Sequence, residues 1–333
     1  MEIAIYIAML LIGLVLIVKG GDFFVDSAAW VAAELRIPQF VIGATVVSLA
    51  TTLPEVIVSV IAAVEGNAFL AAGDTAAAFG QVEMAIGNGV GSVTANTGLI
   101  LGLSMLLAPS VLKRKDFAVK GSLLILSVVM LFAMSASGSF NRFWGLFLFV
   151  PLALFIADNI ISAKKEMTAS VPEERQKPSA REIFFNILRF AAGLFGIILG
   201  AQLLVDYGTA FARAVHVPEG VIAVTIIAVG TSLPELVTMI TAIIKKRGSM
   251  SIGNIIGANV IDISLIVPVS ALCYGESLPV AATALTLDFP FCLGIAAVAV
   301  IPSIITGKFS RWQGVLCLAA YITYITLRVV QIV

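Results

Sequence analysis

The sequence predicts an all-α membrane protein of ten transmembrane helices, arranged as two inverted-topology five-helix repeats with broken helices. Three observations carry that prediction. Of 333 residues, 60% are hydrophobic and only 12% charged, with a mean hydropathy of +1.08, far outside the range of soluble domains. Apolar runs long enough to cross a bilayer as helices recur along the whole chain, with charges gathered between them. The two halves also align with each other, and each carries an acidic residue beside a proline in the middle of an apolar run.

Taken in order, the expected spans are 3–20, 39–64, 85–108, 117–137, 142–162, 184–205, 219–244, 251–273, 278–303 and 311–331. The first and sixth are expected to run on as long helices, because Gly20-Gly21-Asp22 and Gly200-Ala201-Gln202 are followed by amphipathic stretches. The polar stretch 163–183 reads as a cytoplasmic linker between a first repeat, 1–162, and a second, 184–333. The N-terminus has no basic leader or small-residue cleavage site, so the first helix is read as retained.

Lys and Arg collect on the cytoplasmic side of membrane proteins. With both termini outside, the inner loops receive Arg36, Lys113-Arg114-Lys115, the linker cluster, Lys245-Lys246-Arg247, Lys308 and Arg311. The outer loops receive little, and the loop from Glu65 to Glu83 has acids and no base. The expected location is therefore the cell membrane, multi-pass, with both termini extracellular. Zero formal net charge gives no reason to expect nucleic acid. Cys273, Cys292 and Cys317 lack metal-ligand spacing and read as packing residues, and His216 as a solvated loop residue.

The internal repeat aligns at an offset of 180 residues. Leu53-Pro54-Glu55 falls on Leu233-Pro234-Glu235, and Val41-Ile42-Gly43-Ala44-Thr45 on Val221-Ile222-Ala223-Val224-Thr225. Beyond the motif the offset becomes 166, which places Ile86-Gly87-Asn88 on Ile252-Gly253-Asn254 and Asn96 on Asp262. The first half thus has a 14-residue insertion, within Asn67 to Met84, read as an external loop or lid. Five spans per half invert the second copy relative to the first, the plan of secondary transporters whose substrate site lies between the repeats.

Glu55 and Glu235 are the leading ligand candidates, since a carboxylate inside an apolar span is costly and is there for function. Pro54 and Pro234 lack a donor and clash with the preceding turn, so each helix is expected to break just before its glutamate. Two bare carboxylates brought together repel, and a divalent cation removes that cost. Calcium, with about six to eight hard oxygen ligands, suits such a set better than a metal preferring sulfur or imidazole. Thr51, Thr52, Thr231 and Ser232 add hydroxyls beside the acids. Ser92 and Asn96 share one helical face, as do Ala258 and Asp262. The Gly87 to Gly91 and Gly253 to Gly257 spacings are read as sites of close helix approach. Lys19 and Asp22 are read as neutralising one another, while Asp158 and Asp288 stand in apolar spans as structural acids or proton-accessible sites.

With these motifs in view, the chain resembles the prokaryotic sodium/calcium exchangers of the calcium/cation antiporter superfamily. The resemblance rests on ATTLPE at 50–55, GTSLPE at 230–235, and the Gly-Asn motifs with their downstream Asn96 and Asp262. It implies a non-enzymatic antiporter, functional as a monomer in the lipid bilayer, that needs no cofactor and exchanges Na+ for Ca2+ by alternating access. It implies calcium binding by Glu55 and Glu235, completed by the carbonyls of Thr51 and Thr231. Sodium sites would use the hydroxyls of Thr52 and Ser232 and the carbonyls of Ser48 and Ala228. Ser92, Asn96 and Asp262 complete the polar set. Ala258 departs from the family's expected serine and puts one sodium ligand in question. The alternative is a calcium/proton antiporter on the same fold. An intramembrane acid protease is disfavoured because its aspartate motif is absent, and a channel would lack saturable countertransport.

Overall fold

In lipid every backbone polar group must be satisfied within the chain, and a helix does this locally. The computed structural model describes residues 2–169, 178–215, 230 and 232–332, and they are almost entirely helical. Nine described helical segments are long and apolar enough to cross a membrane: Ile3–Glu34, Gln39–Ala71, Thr75–Leu107, Arg114–Ser135, Arg142–Thr168, Ala180–Ala214, Gly248–Tyr274, Ala284–Thr306 and Arg311–Val330. A shorter apolar helix, Leu233–Ile244, falls in the seventh expected span. The rest of that span, and His216, lie outside the described residues. The helices of the first and sixth expected spans, α1 (Glu2–Glu34) and α9 (Ala180–Ala214), are 33 and 35 residues long. Each would extend about 50 Å, well beyond a hydrocarbon core of about 30 Å, as expected from the sequence.

The remaining elements are α2 (Gln39–Ile42) and α3 (Ser48–Ala71), joined by a π-helical turn at Gly43–Val47, and α4 (Thr75–Ala95) and α5 (Gly102–Leu107), joined by one at Asn96–Leu101. Then follow α6 (Arg114–Ser135), β1 (Ser139–Phe140), α7 (Arg142–Gly145) and α8 (Phe149–Ala169). After α9 come α10 (Leu233–Ile244), α11 (Gly248–Ile261), a π-helical turn at Asp262–Ile266, and α12 (Val267–Tyr274). The chain closes with β2 (Leu278–Pro279), a further π-helical turn at Ala284–Asp288, α13 (Phe289–Thr306) and α14 (Arg311–Ile332). Asn96 and Asp262, equivalent in the sequence repeat, each open a π-helical turn.

The chain folds into two compact units. The first comprises Met1–Thr51, Asn159–Asn254 and Ile325–Val333. Its axis is the α1–α9 pair, which meets along glycines: a Cβ built on Gly13 would lie 3.0 Å from the Gly200 carbonyl oxygen, and one on Gly20 2.8 Å from that of Gly193. Only residues without side chains allow backbones this close. Phe24, Val25, Ala28, Ile42, Val47, Ile197, Ala242 and Met250 form the apolar core beside it. A second crossing is tighter still. A Cβ on Gly43 would lie 2.1 Å from the Met250 carbonyl oxygen, and one on Gly253 2.1 Å from that of Phe40.

At one end of this unit Lys245 pairs with Asp22 at 3.1 Å and Asp26 at 2.7 Å, and Arg247 reaches Asp26 at 3.4 Å and the Val25 carbonyl at 3.1 Å. Asp22 therefore pairs with Lys245, a residue far along the chain, and not with Lys19 as the sequence suggested. Partial burial disfavours the Lys245 ammonium, but Asp26 and Asp22 outweigh it and raise its pKa above the ordinary value.

The second unit comprises Thr52–Asp158 and Ile255–Tyr324. α6 packs on α13, where a Cβ on Gly121 would lie 2.7 Å from Val300 Cγ1. Its loops are stapled by β pairing: β1 pairs antiparallel with β2, Ser139 opposite Pro279 and Phe140 opposite Leu278. At the other end of α6, Val111 bridges Lys308, with Leu112 N donating to the Gly307 carbonyl at 2.9 Å. The expected outer loop is a helical hairpin instead: α3 runs on to Ala71, α4 begins at Thr75, and Gly73 (φ +84°) makes the turn. Asp74 caps α4 by accepting from Ala77 N at 3.0 Å, the role its short acidic side chain suits. The two lone acids also have partners, Asp158 in the buried Lys120 ammonium and Asp288 in the Tyr324 hydroxyl at 3.1 Å. The three cysteines are free, Cys292 and Cys317 buried.

Candidate functional site

In the first unit, the second-repeat motif follows its expected local logic. Gly230 is helical, Ser232 leaves helical geometry at φ −92°, ψ 7°, and α10 restarts at Leu233 with Pro234 in its first turn. Proline is tolerated there because the first turn's N–H groups have no intrahelical acceptor. Glu235 follows in the same turn, where the helix dipole favours a negative charge. It is buried, and its Oε2 has no hydrogen-bond partner. Ser232 Oγ is likewise buried and unpartnered. Thr238 takes up the Pro234 carbonyl at 2.7 Å, so that oxygen is turned into the helix.

Thr51, at the start of α3, belongs to the same unit. Its hydroxyl lies 3.3 Å from the Ser48 carbonyl and 3.3 Å from Asn254 Oδ1, and it is close enough to the Glu235 carboxylate to interact with it. Ser48 Oγ in turn donates to the Thr45 carbonyl at 3.2 Å. A threonine of one acid-bearing motif thus meets the glutamate of the other. Thr231 and Ala228 lie outside the described residues.

The second unit holds the other candidates. Glu55 and Thr52 are buried, and Thr52 Oγ1 has no partner. Asn88 on α4 donates to the Glu55 backbone carbonyl at 3.1 Å and to Ser59 Oγ at 2.8 Å. Asn96 Nδ2 donates to Asp262 Oδ2 at 3.4 Å, while Asn96 Oδ1 and Ser92 Oγ are buried without partners. Asn259 Nδ2 donates to Thr97 Oγ1 at 2.8 Å. Ala258 is fully buried on the helix that leads to Asp262. None of the nine described candidates is more than 4% exposed. Buried polar atoms are normally hydrogen-bonded, so the unpartnered oxygens of each unit call for a partner outside the chain.

Two expectations need correction. The helix does not break before Glu55: α3 passes through Pro54 without interruption, and the irregularity lies upstream, in the π-helical turn Gly43–Val47. The missing proline N–H still leaves the Ala50 carbonyl without its α-helical donor, and membrane helices absorb this through local π adjustment. The small-residue spacings also divide. Gly253 is a true contact point, whereas a Cβ on Gly87 or Gly91 meets nothing within 4 Å, and Gly89, where a Cβ would lie 2.9 Å from the Asp262 carbonyl oxygen, makes the close approach in the first repeat. Asn88 and Asn254 are masked in the sequence by the glycine packing motifs that contain them. Their signal is nonetheless there, since an asparagine within an apolar span needs partners.

The fold and its buried oxygens define a class: multi-pass helical membrane proteins that place carboxylates, amides and hydroxyls inside apolar spans, the make-up of ion-handling proteins. The chain belongs to the sodium/calcium exchanger protein family, which matches residues 5–160 and 185–330. It is 31% identical to the sodium/calcium exchanger MaX1 of Methanosarcina acetivorans, over 97% of this chain and 98% of that protein. It is also 31% identical to a membrane protein of Methanocaldococcus jannaschii, over 94% of each chain. Among solved structures it resembles the sodium-calcium exchanger NCX_Mj soaked with sodium and without calcium, with a TM-score of 0.78 at 29% identity over 97% of this chain and 99% of that one.

Proposed function

We propose that this protein is a secondary active transporter that exchanges sodium for calcium across the membrane by alternating access. The observation that carries the reading is the set of buried, unpartnered oxygens: Glu235 Oε2, Ser232 Oγ, Thr52 Oγ1, Ser92 Oγ and Asn96 Oδ1. A hard cation satisfies such oxygens, and both calcium and sodium are hard cations. Glu55 and Glu235 bind calcium with the carbonyls of Thr51 and Thr231. Sodium takes overlapping oxygens, from Thr52, Ser232, Ser48, Ala228, Ser92, Asn96 and Asp262. Overlap makes the two ions exclude one another, and an empty pair of acids resists switching because its charges are uncompensated in a medium of low dielectric.

The architecture that goes with this reading is two inverted copies, residues 1–162 and 184–333, joined by a cytoplasmic linker, 163–183. The protein acts as a monomer in the cell membrane with both termini outside, and the long first and sixth helices slide over the remaining bundle to change access. Family membership and the full-length likeness to an exchanger support exchange over calcium/proton antiport.

Reconstituted into sodium-loaded liposomes, the protein should take up radioactive calcium when diluted into sodium-free buffer, and release it when sodium is returned outside. Uptake that follows an imposed pH gradient in the absence of sodium, and ignores a sodium gradient, would overturn the sodium assignment.

A further inference from the structure

We infer that Asn254 is a positioning residue for the cation site, acting through the Thr51 hydroxyl; this rests on the reading of Glu235 as a cation ligand. The Thr51 hydroxyl has one hydrogen and two acceptors at hydrogen-bonding distance, the Ser48 carbonyl at 3.3 Å and Asn254 Oδ1 at 3.3 Å, with the Glu235 carboxylate a third group near enough to compete for it. It can serve only one of them well at a time. While Glu235 is bare, its charge holds that hydrogen, since bonds to an ionised acceptor are the stronger ones. When a cation engages the carboxylate, a hydrogen pointing toward the ion is repelled and must turn away. Asn254 Oδ1 is an acceptor already in place beside the hydroxyl. It leaves an oxygen lone pair of Thr51, and both oxygens of Glu235, to face the ion.

Three further observations make Asn254 suited to this and to little else. It is fully buried, and its Nδ2 has no hydrogen-bond partner, so its side chain is tied down through the contact with Thr51. Its position is fixed by the residue before it, because Gly253 sits directly against the Phe40 carbonyl on the segment leading to Thr51. The equivalent asparagine of the other repeat does a parallel task in its own unit: Asn88 donates to the backbone carbonyl of Glu55. The asparagine of each Gly-Asn motif therefore holds a part of an acid-bearing motif.

The test uses the full-length protein, with calcium binding measured by titration calorimetry and exchange measured in proteoliposomes, for Asn254→Leu, Thr51→Val, the double variant and Glu235→Gln. Asn254→Leu should weaken calcium binding and raise the apparent KM for calcium about tenfold, with kcat within about twofold of wild type. In the Thr51→Val background the same change should add less than about twofold, because the route through the hydroxyl is already gone. If Asn254→Leu does not fold, Asn254→Ser, too short to reach Thr51 but still polar, gives the same reading. Calcium affinity unchanged in these Asn254 variants, or a loss fully additive with Thr51→Val, would overturn the inference. Should Glu235→Gln bind calcium as tightly as wild type, it is the underlying assignment of the site that fails.

Discussion

The crossing at Gly43 and Gly253 allows a prediction with its own internal control. In Gly253→Ala the new Cβ would sit 2.1 Å from the Phe40 carbonyl oxygen, where real contacts begin near 3.0 Å. The helices must therefore separate by at least about 0.9 Å, and the obstacle is backbone, which cannot rotate aside as a side chain would. Overpacking of this kind costs about 1–3 kcal/mol, against which the better helix propensity of alanine returns up to about 1 kcal/mol. The movement also stretches the 3.3 Å contact between Thr51 and Asn254 to about 4 Å, beyond hydrogen-bonding range. Gly87→Ala changes the equivalent position of the first repeat, where a Cβ meets nothing within 4 Å. Thermal unfolding of the detergent-solubilised protein should show a midpoint lowered by several degrees for Gly253→Ala, and unchanged or slightly raised for Gly87→Ala. Calcium affinity should fall only in the first. Equal effects of the two substitutions would refute the assignment of the crossing.

Glu235→Gln should weaken calcium binding by two orders of magnitude or more in equilibrium titration, since removing one partner of a buried charge pair costs about 3–5 kcal/mol. Ala258→Ser should raise the apparent sodium affinity about two- to fivefold in sodium-dependent calcium release, roughly 1 kcal/mol at most; an unchanged sodium dependence would show that the missing hydroxyl is not a ligand position. Lys120→Met should destabilise the fold by about 2–3 kcal/mol, discounted because Asp158 is 23% exposed, and Asp158→Leu on top of it should recover most of the loss in the same unfolding assay. The Lys245 cluster should be insensitive to pH across the neutral range. A lysine whose pKa is raised on folding contributes stability that is present below its ordinary value of 10.5 and lost as pH climbs above it. The destabilisation by Lys245→Gln should accordingly be constant between about pH 6 and 9, begin to fall near pH 10.5 and vanish above the raised pKa of the folded protein, as unfolding midpoints of both proteins will show.

Much of the architecture is legible in the chain alone. Hydropathy locates all nine described spans and the short apolar helix within the seventh expected span, because each span must satisfy its own backbone and so is written contiguously in sequence. The acid motifs are equally legible: a glutamate beside proline in an apolar run stands out against the composition around it. Where the sequence misleads, it does so on the consequence of a residue and not on its presence. Pro54 predicts a break in a helix that runs straight through it, because neighbouring turns have the freedom to absorb one lost hydrogen bond. The acidic stretch after Glu65 predicts a loop, yet alanine-rich helix extensions capped by Asp74 occupy it. Propensity there favours helix, and the charge pattern draws attention away from it.

What the sequence determined by itself is the set of quantities that depend only on neighbours along the chain: span positions, the repeat, and which polar residues are forced into apolar surroundings. Tertiary structure decided the pairings. Nothing local distinguishes Gly253, wedged against a carbonyl, from Gly87, which faces open space, or tells Asp22 to choose Lys245 over nearby Lys19. Nor does spacing reveal that Asn254 meets Thr51 across 203 residues of chain. Such contacts arise where helices cross, and crossing points are set by the packing of whole helices, which no single stretch of sequence encodes.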